Sequence, residues 1–117
     1  MPSRTRQSFV VVGLGRFGLS LALELSRQGY DVLAIDNDRA IVQAVSDELA
    51  DVLAVDATDE DALRSAGVNE FDVAVVAIAT DFENSILVTD TLKQIGVATV
   101  ICKALSDRHK RILLRVG

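Results

Sequence analysis

The sequence predicts an α/β fold, a doubly wound parallel sheet of about five strands, and three observations carry that reading. An apolar run, Phe9-Val-Val-Val12, leads into Gly13-x-Gly15-x-x-Gly18 and then into an amphipathic pattern, so the glycines fall where a strand hands over to a helix. The next apolar run, Val32-Leu-Ala-Ile35, closes on Asp36, near the roughly 20-residue separation expected between such a turn and a ribose-binding carboxylate. Beyond it, Gly29, Gly67 and Gly96 each follow an amphipathic run and precede an apolar one, the place of a residue that ends a helix with positive φ.

Taken in order, residues 1–7 have no apolar pattern and read as a mobile lead-in, and residues 8–117 as one domain. Strands are expected near 8–12, 31–36, 51–55, 72–78 and 98–103, and helices near 16–28, 38–48, 59–66, 82–95 and 106–116. Thr58, followed by Asp59, Glu60 and Asp61, offers a hydroxyl cap with carboxylates beside the helix's positive end. Asp81 and Ser106 can cap the fourth and fifth helices. Val73-Ala-Val-Val-Ala-Ile78 is apolar on both faces, as a parallel strand covered by helices requires. Right-handed crossovers then give the strand order 3-2-1-4-5, with a nucleotide lying across the carboxyl ends of strands 1 and 4.

With 117 residues, half of them apolar and a quarter charged, the chain has the composition of a single compact domain. Its net charge of -5 argues against a nucleic-acid surface. The longest uncharged apolar run, Val73 to Thr80, is too short for a bilayer, and the N-terminus lacks the apolar core of a signal peptide. A cytoplasmic domain without direct membrane insertion is expected. Cys102 is the only cysteine, so no intrachain disulfide forms, and it reads as a small buried hydrophobe.

The glycines have distinct tasks: Gly13 for a tight turn, Gly15 for close approach of backbone to a pyrophosphate, Gly18 for close packing of helix on strand. Asp36 is either a solvated strand-end carboxylate or, at the ribose position behind a complete glycine turn, a group that accepts from both ribose hydroxyls and repels a 2′-phosphate, which disfavours NADP. Arg16 is either a charged clamp on the phosphates or a solvated surface arginine. Asp56, Ala57 and Thr58 either meet an adenine edge or only cap the next helix. Lys103 either reaches a phosphate or solvates the sheet end. The expected binding set is therefore Gly13, Gly15, Arg16, Phe17 and Gly18 of the turn, Asp36 and Asn37 after the second strand, Asp56, Ala57 and Thr58 after the third, Ile78 and Ala79 after the fourth, and Lys103 after the fifth.

An enzyme's chemistry is not evident. His109, the single histidine, shares a helical stripe with Leu105, Ile112, Leu113 and Val116 and reads as a packing residue. No nucleophile motif, no His/Cys ligand cluster and no substrate domain accompany it, so no catalytic residue and no metal ligand is assigned.

Val12-Gly-Leu-Gly-Arg-Phe-Gly18, Asp36, Asp56-Ala-Thr58, Val75-Val-Ala-Ile78 and Val100-Ile-Cys-Lys-Ala104 followed by His109 resemble the N-terminal RCK (regulator of potassium conductance) domain. The match is nearest to the cytosolic regulatory subunits of Ktr/Trk-type bacterial potassium uptake systems and covers nearly all of residues 8–117. The resemblance implies a Rossmann-like lobe that binds ATP, ADP or NAD(H) at the glycine turn, forms homodimers within a higher ring, and contacts a membrane potassium-translocating subunit. Such a domain is cytoplasmic and peripheral to the inner membrane. It also implies a phosphate contact for Arg16, a ribose contact for Asp36 and a ligand contact for Lys103. The family continues into a sixth strand and a smaller C-terminal lobe, and the chain looks truncated before them. The alternative from another class is the cofactor-binding domain of an NAD-dependent dehydrogenase, against which Arg16 and the missing substrate domain speak. Ile86 of the fourth helix, Leu114 of the fifth, and Leu19 and Leu23 of the first are left over as apolar positions for self-association.

Overall fold

The computed structural model describes residues 7–78 and 81–102. Its elements are β1 (Ser8–Val12), α1 (Arg16–Arg27), β2 (Asp31–Asp36), α2 (Arg39–Val45), β3 (Val52–Ala54), α3 (Glu60–Ser65), a 3-10 turn (Val68–Glu70), β4 (Val73–Val76), α4 (Phe82–Gln94) and β5 (Thr99–Cys102). The strands form one sheet in the order β3-β2-β1-β4-β5, all parallel, which is the order expected from the sequence. The lead-in before residue 7, Ala79, Lys103, Ser106, His109 and the whole expected fifth helix with Leu114 lie outside the described residues.

The central strand shows why its sequence does not alternate. Val10, Val11 and Val12 are all buried because helices cover both faces of the sheet. On one face Val10, Val12, Leu33, Ile35, Ala74 and Val76 pack with Leu63 of α3 and Val88, Leu92 and Ile95 on and just after α4. On the other, Val11 and Ala34 pack with Ala22 of α1, Val45 of α2, Leu14 and Leu49. Burial of each large aliphatic side chain contributes roughly 1.5–3 kcal/mol, so the two apolar layers hold the strand ends in fixed relation. At the end of the sheet remote from the glycine turn, Ser8 N and Oγ donate to Asp72 Oδ2 over 2.9 and 3.2 Å, and Asp72 N donates back to Ser8 Oγ over 3.0 Å. This reciprocal clasp satisfies a fully buried serine.

Several local expectations shift. The cap of α3 is Asp59, whose side chain accepts from Ala62 N over 3.2 Å, because Thr58 is committed to Asp56 instead. Asp81 caps α4 as expected. The buried side of α4 includes Ser85 and Thr89, and Asn84 is half-buried. Both hydroxyls are satisfied within the helix, Ser85 Oγ by Phe82 O at 2.8 Å and Thr89 Oγ1 by Ser85 O at 2.7 Å, so their burial leaves no polar group unpaired. That rotation turns Leu87 outward, 49% exposed, and leaves Ile86 only half-buried. Leu19 and Leu23 are half-buried against the α1/α2 core and are thus packing residues first. Cys102 is half-buried beside Thr89, and burial pushes its thiol pKa up against the opposing Thr89 hydrogen bond.

Candidate functional site

Neighbouring strands β1 and β4 send their chains to helices on opposite faces of the sheet, and a crevice opens at that switch point. The cleft there has a volume of about 530 Å3. Its walls include Gly13, Gly15, Arg16 and Phe17 from the turn and α1, Asp36 and Asn37 at the end of β2 and just after it, Asp56 and Ala57 after β3, and Ile78, Asp81 and Asn84 on the β4–α4 side.

The turn's glycines are not equivalent. Gly13 has φ +99°, a conformation that L side chains rarely adopt, and a Cβ there would stand 3.1 Å from the Ala77 carbonyl. A Cβ on Gly18 would lie 1.7 Å from Gly13 O, so Gly18 permits helix-on-turn packing and does not itself line the cleft. Gly15 differs from both: its φ is -72° and a Cβ would meet nothing within 4 Å. The fold does not demand glycine there, and what its absent side chain leaves is bare backbone on the cleft wall.

Helix α1 begins at Gly15 without a side-chain cap, whereas α2, α3 and α4 are capped by Asp38, Asp59 and Asp81. Its first intrahelical bond is Leu19 N to Gly15 O at 2.9 Å. The positive end of a twelve-residue helix therefore faces the cleft with no carboxylate at the cap to neutralise it.

Beside it stands Asp36, half-buried and held at both oxygens. Leu14 N donates to Oδ2 over 2.8 Å and Asp38 N donates to Oδ1 over 2.9 Å. Each carboxylate oxygen keeps a second lone pair for another donor. Gly13 N also donates to Ile35 O over 2.8 Å, so the turn and the end of β2 are tied on either side of Leu14. At the end of β3, Asp56 Oδ1 accepts from Thr58 Oγ1 at 2.6 Å and Thr58 N at 2.9 Å. Those two bonds hold the Asp56 carboxyl below its ordinary pKa and keep it ionised.

Of the residues expected from the sequence, Gly13, Gly15, Arg16, Phe17, Asp36, Asn37, Asp56, Ala57 and Ile78 meet in this cleft. Gly18 and Thr58 stand behind its wall, one packing the helix and one orienting Asp56. Asp81 and Asn84 belong to the wall and are absent from the sequence reading of the site. Asp81 was legible only as a cap, but the switch-point topology, read one step further, puts the first turn of α4 opposite that of α1. Among the described residues no group of His, Cys, Asp and Glu side chains is arranged to hold a metal ion.

A parallel sheet in this order, with a glycine turn and a fixed carboxylate at its switch point, defines a Rossmann-like domain. The chain belongs to the TrkA-N domain family, whose model matches residues 9–117, in agreement with the resemblance carried by Gly13-Leu-Gly-Arg-Phe-Gly18. It is 38% identical over 112 residues to Ktr system potassium uptake protein C of Bacillus subtilis, an alignment covering 96% of this chain and 51% of that protein. The chain spans about half the length of the curated potassium uptake relatives it matches. Among solved structures it is similar to the Shewanella denitrificans Kef CTD in AMP-bound form, with 25% identity, a TM-score of 0.78, and coverage of 95% of this chain and 67% of that one. It shares its fold with the GsuK channel bound to NAD, at 14% identity and a TM-score of 0.84, over 100% of this chain and 21% of that one. No helix among the described residues is long and apolar enough to cross a membrane.

Proposed function

We propose that this chain is a nucleotide-sensing regulatory domain of a potassium uptake system, binding ATP, ADP or NAD(H) in the switch-point cleft and controlling a membrane potassium-translocating subunit. The observation that carries the reading is the Asp36 carboxylate, held at both oxygens beside the uncapped N-terminus of α1. A fixed acceptor for a vicinal diol next to an uncapped helix end fits a nucleotide. The bare backbone at Gly15 supports it, since a close-lying phosphate is what an open wall there accommodates.

In this reading Gly13, Gly15 and Phe17 surround the phosphates, Arg16 adds a charge-assisted contact, Asp36 and Asn37 receive the ribose, and Asp56, Ala57 and Ile78 frame the base. Gly18 and Thr58 serve from behind. Ala79 and Lys103 are retained as contacts on the strength of the sequence alone. The domain is a cytoplasmic switch, not an enzyme, and works as a homodimer within a ring, for which the exposed Leu87 of α4 offers an apolar contact. Coupling follows from differential affinity: a nucleotide shifts gating only by as much as it prefers one ring shape over another. The names of the curated relatives support potassium uptake as the process controlled.

The test is potassium flux into vesicles carrying the membrane subunit and the full-length regulator, measured with and without nucleotide. A flux that responds to adenine nucleotide, and loses the response in Asp36→Asn, is expected. A flux indifferent to every nucleotide contradicts the proposal.

A further inference from the structure

Two helix N-termini converge on the cleft, and they differ in the group that caps them. The end of α1 has no side-chain cap, but the end of α4 is capped by Asp81, whose Oδ1 accepts from Asn84 N over 2.9 Å. Both Asp81 and Asn84 line the cleft. The strand order assigns positions to the parts of a nucleotide: β3 and β2 flank the base and ribose, β1 with its turn meets the first phosphates, and whatever extends further runs toward β4 and α4. The distal end of a ligand therefore meets a carboxylate.

We infer that Asp81 is a specificity-determining residue that favours a second nucleoside, as in a dinucleotide, over a terminal phosphate at the distal end of the cleft. The inference rests on the reading of the cleft as a nucleotide site and deepens it. A terminal phosphate brings negative charge toward Asp81 and is repelled. A nicotinamide riboside half brings hydroxyl and amide donors and, when oxidised, a cationic ring, all of which a carboxylate receives. Asn84 adds a side-chain amide that hydrogen-bonds such a half without charge preference. Arg16, on the opposite wall, pulls the other way, and the balance of Arg16 and Asp81 sets which ligand prevails.

Substitution separates charge from capping, because Asn and Ser cap a helix about as well as Asp. Calorimetric titration of the wild-type chain, Asp81→Asn and Asp81→Ser with AMP, ATP and NAD+ is the experiment, AMP being the reference that ends before the α4 wall. Removing the charge is expected to leave AMP within about twofold and to tighten ATP by about fivefold, the size of one partly screened charge contact. NAD+ should stay unchanged or weaken. An ATP-to-AMP affinity ratio equal in all three proteins overturns the role of Asp81 while leaving the nucleotide site standing. Failure of the wild-type chain to bind any of the three overturns the nucleotide site and this inference with it.

Discussion

The backbone amide of Leu14, inside the glycine turn, donates to Asp36 Oδ2 at the end of β2 over 2.8 Å. Residues 22 positions apart in sequence thus form one unit in which the turn that exposes the helix end also aims the carboxylate. With Asp38 N on the other oxygen, Asp36 is confined in position and direction before any ligand arrives. Preorganisation of this kind lowers the ordering cost of binding.

Arg16 is the one basic residue lining the cleft among the described residues. Charge-assisted hydrogen bonds contribute roughly 1.5–3 kcal/mol, and a triphosphate offers more charge than a monophosphate. Arg16→Ala should therefore weaken ATP by about tenfold or more and AMP by clearly less, read by calorimetry. Equal losses would confine its contact to the phosphate the two ligands share, and no loss for either would assign Arg16 to the solvated surface.

Gly15 and Gly18 predict opposite phenotypes. A Cβ at Gly15 meets open space, so Gly15→Ala should fold normally, with a thermal midpoint near wild type, and lose nucleotide affinity. A Cβ at Gly18 falls 1.7 Å from backbone, so Gly18→Ala should cost several kcal/mol, on the order of the largest single-site losses, and lower the melting temperature sharply. A Gly15→Ala variant that binds nucleotide like wild type would remove the ligand argument for that glycine.

Asp56 carries a pH prediction. Its folded-state pKa lies below the ordinary value of 3.8, chiefly through the Thr58 hydroxyl and then the Thr58 amide. A depressed carboxyl adds stability at pH values above its unfolded pKa, and that stability is lost as pH falls through the folded one. Thr58→Ala should raise the Asp56 pKa in an NMR titration and shrink the acid-dependent part of stability below about pH 4. An unmoved Asp56 titration would show that the 2.6 Å contact does not govern it.

Leu87 tests assembly. Exposed on the outer side of α4, it should tolerate Leu87→Asp without loss of fold, while sedimentation at high concentration should show dimers of the unmodified chain and monomers of the variant. Identical sedimentation of the two would move the interface elsewhere.

Most of the architecture was legible because the strongest sequence signals act locally. Val10-Val-Val12 and Val73-Ala-Val-Val76 read as doubly covered strands, and Gly67 and Gly96, at φ 78° and 97°, sit where a left-handed residue ends a helix. The glycine turn with Asp36 located the cleft on spacing alone. What sequence did not disclose depended on competition between neighbours. Thr58 and Asp59 are both good caps, and the preference of Thr58 for Asp56 decided between them. On α4, small hydroxyl residues that bond within the helix can face the core, so a count of apolar positions placed Ile86 outward where the structure exposes Leu87. Asp81 and Asn84 joined the cleft only through the packing of α4 against the sheet, which no local pattern encodes.

The most direct measurement is calorimetric titration of the 117-residue chain and its Asp36→Asn variant with ATP, ADP, NAD+ and NADP+. The wild-type chain should bind adenine ligands saturably at one site per chain and bind NADP+ more weakly than NAD+. Asp36→Asn should weaken every ligand by roughly ten- to a hundredfold, the loss of a charge-assisted contact, while raising the NADP+ to NAD+ affinity ratio. Absence of binding by the wild-type chain at millimolar nucleotide, or affinities that Asp36→Asn leaves unchanged, would contradict a nucleotide-sensing site built around Asp36.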